Sequence, residues 1–150
     1  MFYEFKFNRN NIKVLLNGEK YKFTLNRAEI VNIDFNDSQK KYLYIKADVS
    51  NESIKSKYHE ILEIEERLEN LQGENYIKSC INGDVFKVRL PYRYSKFEVN
   101  TEEIITLLEK GDILTDLEIE LFNVFKIERT SRKNNKYNII GIILNLKKFS

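Results

Sequence analysis

The sequence predicts a mainly β chain of α+β class, on three observations. Short runs alternate apolar and polar residues at period two along most of the chain. An Asn17-Gly18 pair sits between two such runs, the preferred pair for a two-residue type I′ hairpin turn. Only two stretches repeat at helical spacing, and each is followed by a glycine.

Residues 12–25 read as the hairpin, with Tyr21, Phe23 and Leu25 on one face of its second arm and Lys20, Lys22 and Thr24 on the other. A strand over 28–36 follows, with Val31, Ile33 and Phe35 on one side. Asp37-Ser38-Gln39 make a polar turn into the strand 40–49. There Leu43, Ile45 and Ala47 form the apolar face, and Lys40, Tyr42, Tyr44 and Lys46 the opposite one. Residues 53–72 are the long helix. Its stripe is Ile54, Tyr58, Ile61, Ile64 or Glu65, Leu68 and Leu71, and Gly73 is offered as its stop. Glu60, Glu63, Glu66 and Glu69 make its exposed face acidic. The stripe suits either docking on the sheet or a coiled-coil seam between two copies.

A strand over 84–90 alternates Phe86, Val88 and Leu90 with Lys87 and Arg89, and Pro91 ends it. A short helix is expected over 101–110, with Asn100 as N-cap, Glu103 at N3 and Gly111 as stop. Ile104, Ile105, Leu107 and Leu108 would be its buried side. Two long strands, 113–126 and 137–148, close the chain, joined by a basic loop over 127–136. The second is apolar on both faces, which marks a central or barrel strand.

Composition narrows the class. One hundred and fifty residues suit one domain. The single cysteine, Cys80, has no partner for a disulfide and points to a reducing compartment. No run approaches the roughly 20 apolar residues that span a bilayer, and the N-terminus lacks a signal-peptide pattern, so a cytoplasmic location with no membrane partner is expected. The net charge of +2 hides a segmental pattern. Residues 126–150 carry +6, residues 75–99 carry +3, and residues 100–125 carry −6. Segmental basicity is what a polyanion-binding face leaves, although solvated charge leaves it too.

The order within 84–148 is a strand, a short helix, a Leu108-Glu109-Lys110-Gly111-Asp112 exit, a long strand, a basic loop and a closing strand. It resembles the C-terminal half of the OB-fold single-stranded DNA-binding proteins of bacteria and phages. In that family such a turn feeds the fourth strand and a hairpin loop joins strands four and five. The resemblance implies an OB-fold-like antiparallel barrel over 28–150, with 1–27 as a hairpin appendage and helix 53–72 inserted. The pairs 28–36 with 40–49, and then 84–90, would be strands one to three. The family's acidic C-terminal tail has no counterpart in Lys147-Lys148-Phe149-Ser150, which directs the expectation to a phage or plasmid accessory version in a host cytoplasm. Tryptophan, often the stacking residue there, is absent, so tyrosine or phenylalanine would take that part. Such proteins often pair as homodimers, and the 53–72 stripe is the candidate seam.

Binding single strands requires cations to follow phosphates and flat rings on which bases stack. Three clusters meet that need. Lys40, Tyr42, Tyr44 and Lys46 share one strand face, as a stacking platform or as a solvated face of β-favouring tyrosines. Lys87 and Arg89 lead into Tyr92, Arg93, Tyr94 and Lys96, as a binding cluster or a charge-protected edge. Arg129, Arg132, Lys133 and Lys136 populate the last loop. Tyr58, Tyr76, Phe86 and Phe125 read as core. An enzyme is not expected. His59 is the only histidine and cannot build a zinc site with one cysteine, and no phosphate-loop or nucleophile-elbow glycines occur. Glu118 and Glu120 share a strand face but read as a solvated stripe rather than a cation site. No cofactor is expected. The favoured partner is single-stranded DNA, with RNA as its alternative. The competing class is a small interaction factor or inhibitor that uses its acidic helix on a host protein.

Overall fold

The computed structural model describes residues 3–98 and 102–150. In chain order the elements are β1 (Glu4–Phe7), β2 (Asn11–Leu16), β3 (Glu19–Lys20), β4 (Lys22–Asp34), β5 (Lys41–Ala47) and α1 (Glu52–Glu69). Then come β6 (Asn75–Ile77), β7 (Ile81–Asn82), β8 (Val85–Leu90), β9 (Tyr92–Arg93), β10 (Lys96–Phe97), α2 (Glu102–Thr106), β11 (Ile113–Thr130) and β12 (Lys136–Lys148).

The Asn17-Gly18 turn forms with both residues in the left-handed region, at φ 53° and 81°. Its hairpin is short. Only Leu15 and Leu16 pair with Lys20 and Glu19. Beyond Tyr21 the chain leaves β2, because Phe23 and Leu25 find better burial opposite Ile119 and Leu117 of β11. The second hairpin arm and the strand expected at 28 are therefore one continuous β4. A bulge at Val31 shifts its alternation, so that Ile30 and Ile33 both pair with core residues of β5.

Five strands return on themselves. β4 pairs with β5, β5 with β8, β8 with β12, β12 with β11, and β11 again with β4. Four of these pairings are antiparallel, and β8–β12 is parallel, through Val88↔Leu144 and Arg89↔Asn145. β6 also joins β12 in parallel. The expectation of an antiparallel sheet is thus corrected to a mixed one. The reason is connectivity: α2 and β11 intervene between β8 and β12, long enough a crossover for parallel pairing. β1 and β2 extend the sheet from β11, and β9 and β10 form a separate two-stranded hairpin.

α1 packs against the ring, touching β6, β12 and, through Tyr58, β8. Its N-cap, Asn51, accepts from the Ser53 and Ile54 amides. Ile54, Tyr58, Ile61, Ile64, Glu65 and Leu68 are buried. The Tyr58 ring stacks on Phe86 at 4.0 Å, and its hydroxyl donates to the Asp84 carbonyl and accepts from the Ala47 amide at 3.3 Å. The stripe offered as a dimer seam is consumed by the chain's own core. The helix stops at Asn70 instead of running on to Gln72, and the Asn75 side-chain amide donates to the Leu71 carbonyl at 2.8 Å.

α2 is shorter than its pattern. Gly111, at φ 97°, donates to the Ile30 carbonyl at 2.7 Å, and Ile30 donates to Asp112 at 2.8 Å, so this segment is drawn onto β4 and unwinds. Only Ile105 of its expected apolar side is fully buried, while Ile104 and Leu107 are exposed. Asn100, the expected cap, lies outside the described residues. Among the described residues no helix is long and apolar enough to cross a membrane.

Candidate nucleic-acid interface

Alternation on β5 turns Leu43, Ile45 and Ala47 inward, which leaves Tyr42 and Tyr44 half-buried on the outer face. The β5–β8 register sets Tyr42 opposite Arg89 and Tyr44 opposite Lys87. Two clusters that are 45 residues apart in the chain therefore merge into one patch. The Lys87 ammonium sits 4.2 Å from the Tyr42 ring centre and 6.0 Å from that of Tyr44. Arg89 is held more firmly. Its Nε donates to Asn145 Oδ1 at 2.9 Å, and its guanidinium lies 4.7 Å over the Phe122 ring. Burial pulls the Arg89 pKa below its ordinary value, and burial likewise raises that of the Tyr42 phenol.

This patch is one wall of a groove of about 460 Å³. Lys40, Lys78, Lys87, Arg89 and Arg129 line it, over a floor that includes Phe125, Ile139 and Ile143. Among the described residues no carboxylate lines the groove. None of these five cations enters a salt bridge among the described residues. The floor depends on Gly141. A Cβ at that position would overlap the Phe125 ring and come within 3.1 Å of the Lys78 carbonyl. Two further depressions share residues with the groove: one holds Tyr44 beside Lys87, and the other places Arg89 with Tyr92, Arg93, Phe122, Asn145 and Lys147.

Other expected residues lie apart. Lys46 is at the margin, 3.6 Å from Asp84. Tyr92 packs on Phe97 at 4.8 Å, under the Lys41 ammonium at 5.2 Å. Arg93 approaches Glu98 at 3.8 Å, and Lys96 is exposed on β10. Tyr94 tops the β9–β10 turn, 89% exposed at φ 53°. The ten-residue basic loop is corrected to a five-residue turn, Ser131 to Asn135, because β11 runs on to Thr130 and pairs with β12 to the end. That extension brings Arg129 into the groove. Arg132 and Lys133 stay exposed on the turn, and Lys136 pairs with Glu128 at 3.6 Å.

Several residues of the groove and of the depression that shares Arg89 with it carry weak sequence signals. Phe122 follows Leu121 at a bulge that breaks the strand alternation. Asn145 is the lone polar residue in the apolar run 142–146, and it is buried. Lys78 comes from an irregular segment, and Lys147 from a strand end. Phe125, read as core, is half-buried and forms groove floor. Tyr76, also read as core, is 53% exposed.

Glu120 is buried instead of solvated, with Lys20 at 3.6 Å and Lys22 at 3.9 Å. His59 is exposed on α1. Among the described residues no group of three or more His, Cys, Asp or Glu is placed to hold a metal ion. No family model matches this chain, and neither does a curated protein or a solved structure.

Proposed function

We propose that this chain is a non-catalytic binder of single-stranded nucleic acid, DNA in the first instance, built on an OB-type barrel. One observation carries the reading: a groove lined by five cations, the half-buried Tyr42 ring and an apolar floor, where among the described residues no carboxylate joins the lining and none of the five cations enters a salt bridge. Cations spaced along a trough follow a phosphate backbone, and tyrosine faces with an apolar floor take unstacked bases. A duplex hides its base faces, so the floor rewards a single strand only.

The ring supports the OB-type assignment. Numbering β4, β5, β8, β11 and β12 as one to five, the pairing order is 1-2-3-5-4-1 with strands three and five parallel. OB folds bind oligonucleotides on the face of strands two and three and with the loops joining one to two and four to five. Here those are β5 with β8, the loop holding Lys40, and the turn holding Arg132 and Lys133.

The test is a fluorescence titration of single-stranded DNA, duplex DNA and single-stranded RNA of one sequence. Single strands should bind more tightly than duplex, and Tyr42→Ala should weaken them by about 1–3 kcal/mol, the range for one stacked base. Equal affinity for duplex, or no loss in Tyr42→Ala, contradicts the reading. If no nucleic acid binds while a stoichiometric protein partner is captured, the interaction-factor alternative takes its place.

A further inference from the structure

We propose that the segment after α1 lengthens the groove into a second stacking station, made by Tyr76 and Tyr137, for the same single strand. The inference rests on the nucleic-acid reading of the groove. β6 pairs with β12 in the register Asn75↔Asn138 and Tyr76↔Ile139, which lays Tyr76 beside Tyr137. Their rings meet edge to face, with centres 5.6 Å apart. Tyr76 is 53% exposed, so the pair is presented to solvent and not absorbed by the core. The two rings line a depression of about 360 Å³ with Ser131, Asn135, Ile139 and Glu74. Ile139 also lines the main groove, so the two hollows share a wall.

The same segment serves both hollows. Tyr76 and Lys78 are two residues apart, the spacing that turns side chains to one side of an extended chain. Lys78 lines the main groove, and its amide is fixed to the Ile140 carbonyl at 2.8 Å. Charge complements the path. Arg129 stands in the groove, and Arg132 and Lys133 are exposed on the turn next to Ser131. Among the described residues Glu74 is the one acid in the lining, and it accepts from the Tyr76 hydroxyl at 2.6 Å. Along β12, Asn145 beside Arg89 and Tyr137 are eight residues apart, about 26 Å at the usual strand rise. That length accommodates a strand of several nucleotides with rings at both ends.

Length dependence tests this. Oligothymidylates of about 5 and about 15 nucleotides bracket the usual footprints. Against the wild type, Tyr76→Ala and Tyr137→Ala should each weaken the longer oligomer about tenfold and leave the shorter unchanged. Tyr76→Phe keeps the ring without the Glu74 bond and should bind as wild type. Thermal melts of the exposed Tyr76 variants confirm that the fold is intact. Wild-type affinity for the long oligomer in both alanine variants overturns the inference, and so does an equal loss on both lengths. If the wild type itself binds neither oligomer, the groove reading fails and this inference falls with it.

Discussion

The α1 side of the core and the groove use the same ingredients, aromatic rings and charges, in opposite ways. At α1 several charges have partners within the chain. Tyr21 donates to Glu60, which Lys57 also approaches, and Arg67 lies 3.8 Å from Glu63. The buried Glu65 accepts from Ser79 and from the Cys80 amide. Tyr58 spends its ring on Phe86 and its hydroxyl on the backbone. In the groove, the Tyr42 and Phe125 rings are half-buried, and Lys87 and Arg89 lean on rings instead of carboxylates. The chain holds 23 acids, enough to neutralise five groove cations, yet none lines that surface. Gathering like charges costs self-repulsion that a polyanion would relieve. The contrast is between charges and rings partnered within the chain at α1 and a set of cations with no carboxylate beside them in the groove, and it supports the proposal of a polyanionic ligand.

Substitutions can break or sharpen that contrast. The largest effect is expected from Phe86→Ala, which empties the contact between Phe23 and Tyr58. It should cost about 3–5 kcal/mol in urea unfolding, with the affinity of the molecules that remain folded unchanged. Gly141→Val is expected to blur the contrast. Displacing Phe125 overpacks the sheet by about 1–3 kcal/mol and also deforms the groove floor, so melting temperature and oligonucleotide affinity should fall together.

Arg89→Ala is the converse of Phe86→Ala. Loss of an anchored, charged donor should weaken binding by about 1.5–3 kcal/mol in the same titration, with a smaller change in melting temperature. Arg89→Lys should not restore binding, since an ammonium cannot both hold Asn145 and present a planar fork.

Tyr58→Phe should cost about 1 kcal/mol, one buried hydroxyl's hydrogen bonds. It also carries a pH signature. Burial pushes the Tyr58 phenol from 10.0 up to about 12. The folded state therefore favours the neutral phenol. Its contribution is intact below pH 10 and is lost as pH rises toward 12. The variant should flatten that alkaline limb in urea unfolding. Tyr21, raised by burial and by its bond to Glu60, would leave a residual slope. Lys133→Ala, on the exposed turn, should change stability by less than about 0.5 kcal/mol.

Much of the interior was legible because burial imposes a period. The α1 stripe from Ile54 to Leu68 and the Leu43, Ile45, Ala47 face lie where their spacing placed them. Alternation on β5 also marked Tyr42 and Tyr44 as the outward pair. What pattern could not supply was pairing between distant segments. Nothing local says that Tyr42 faces Arg89, or that Arg89 reaches Asn145, because register is set by the whole ring. The bulges at Val31 and Phe122 broke the period where the strands bend, which hid Phe122. The exposed loop 127–136 looked structureless because its alternation, Ile127 and Arg129 against Glu128 and Thr130, is solvated on both sides except where Ile127 and Arg129 meet the groove.

The central claim is that the groove's five cations, none of them in a salt bridge among the described residues, hold a phosphate backbone. Its most direct measurement is the affinity for a single-stranded oligonucleotide across a series of salt concentrations. Each phosphate neutralised contributes about −0.7 to the slope of log K against log salt for single strands, so five cations give about −3.5. Lys87→Ala should make that slope shallower by about one such increment. A slope near zero, or a slope that Lys87→Ala leaves unchanged, would contradict the account.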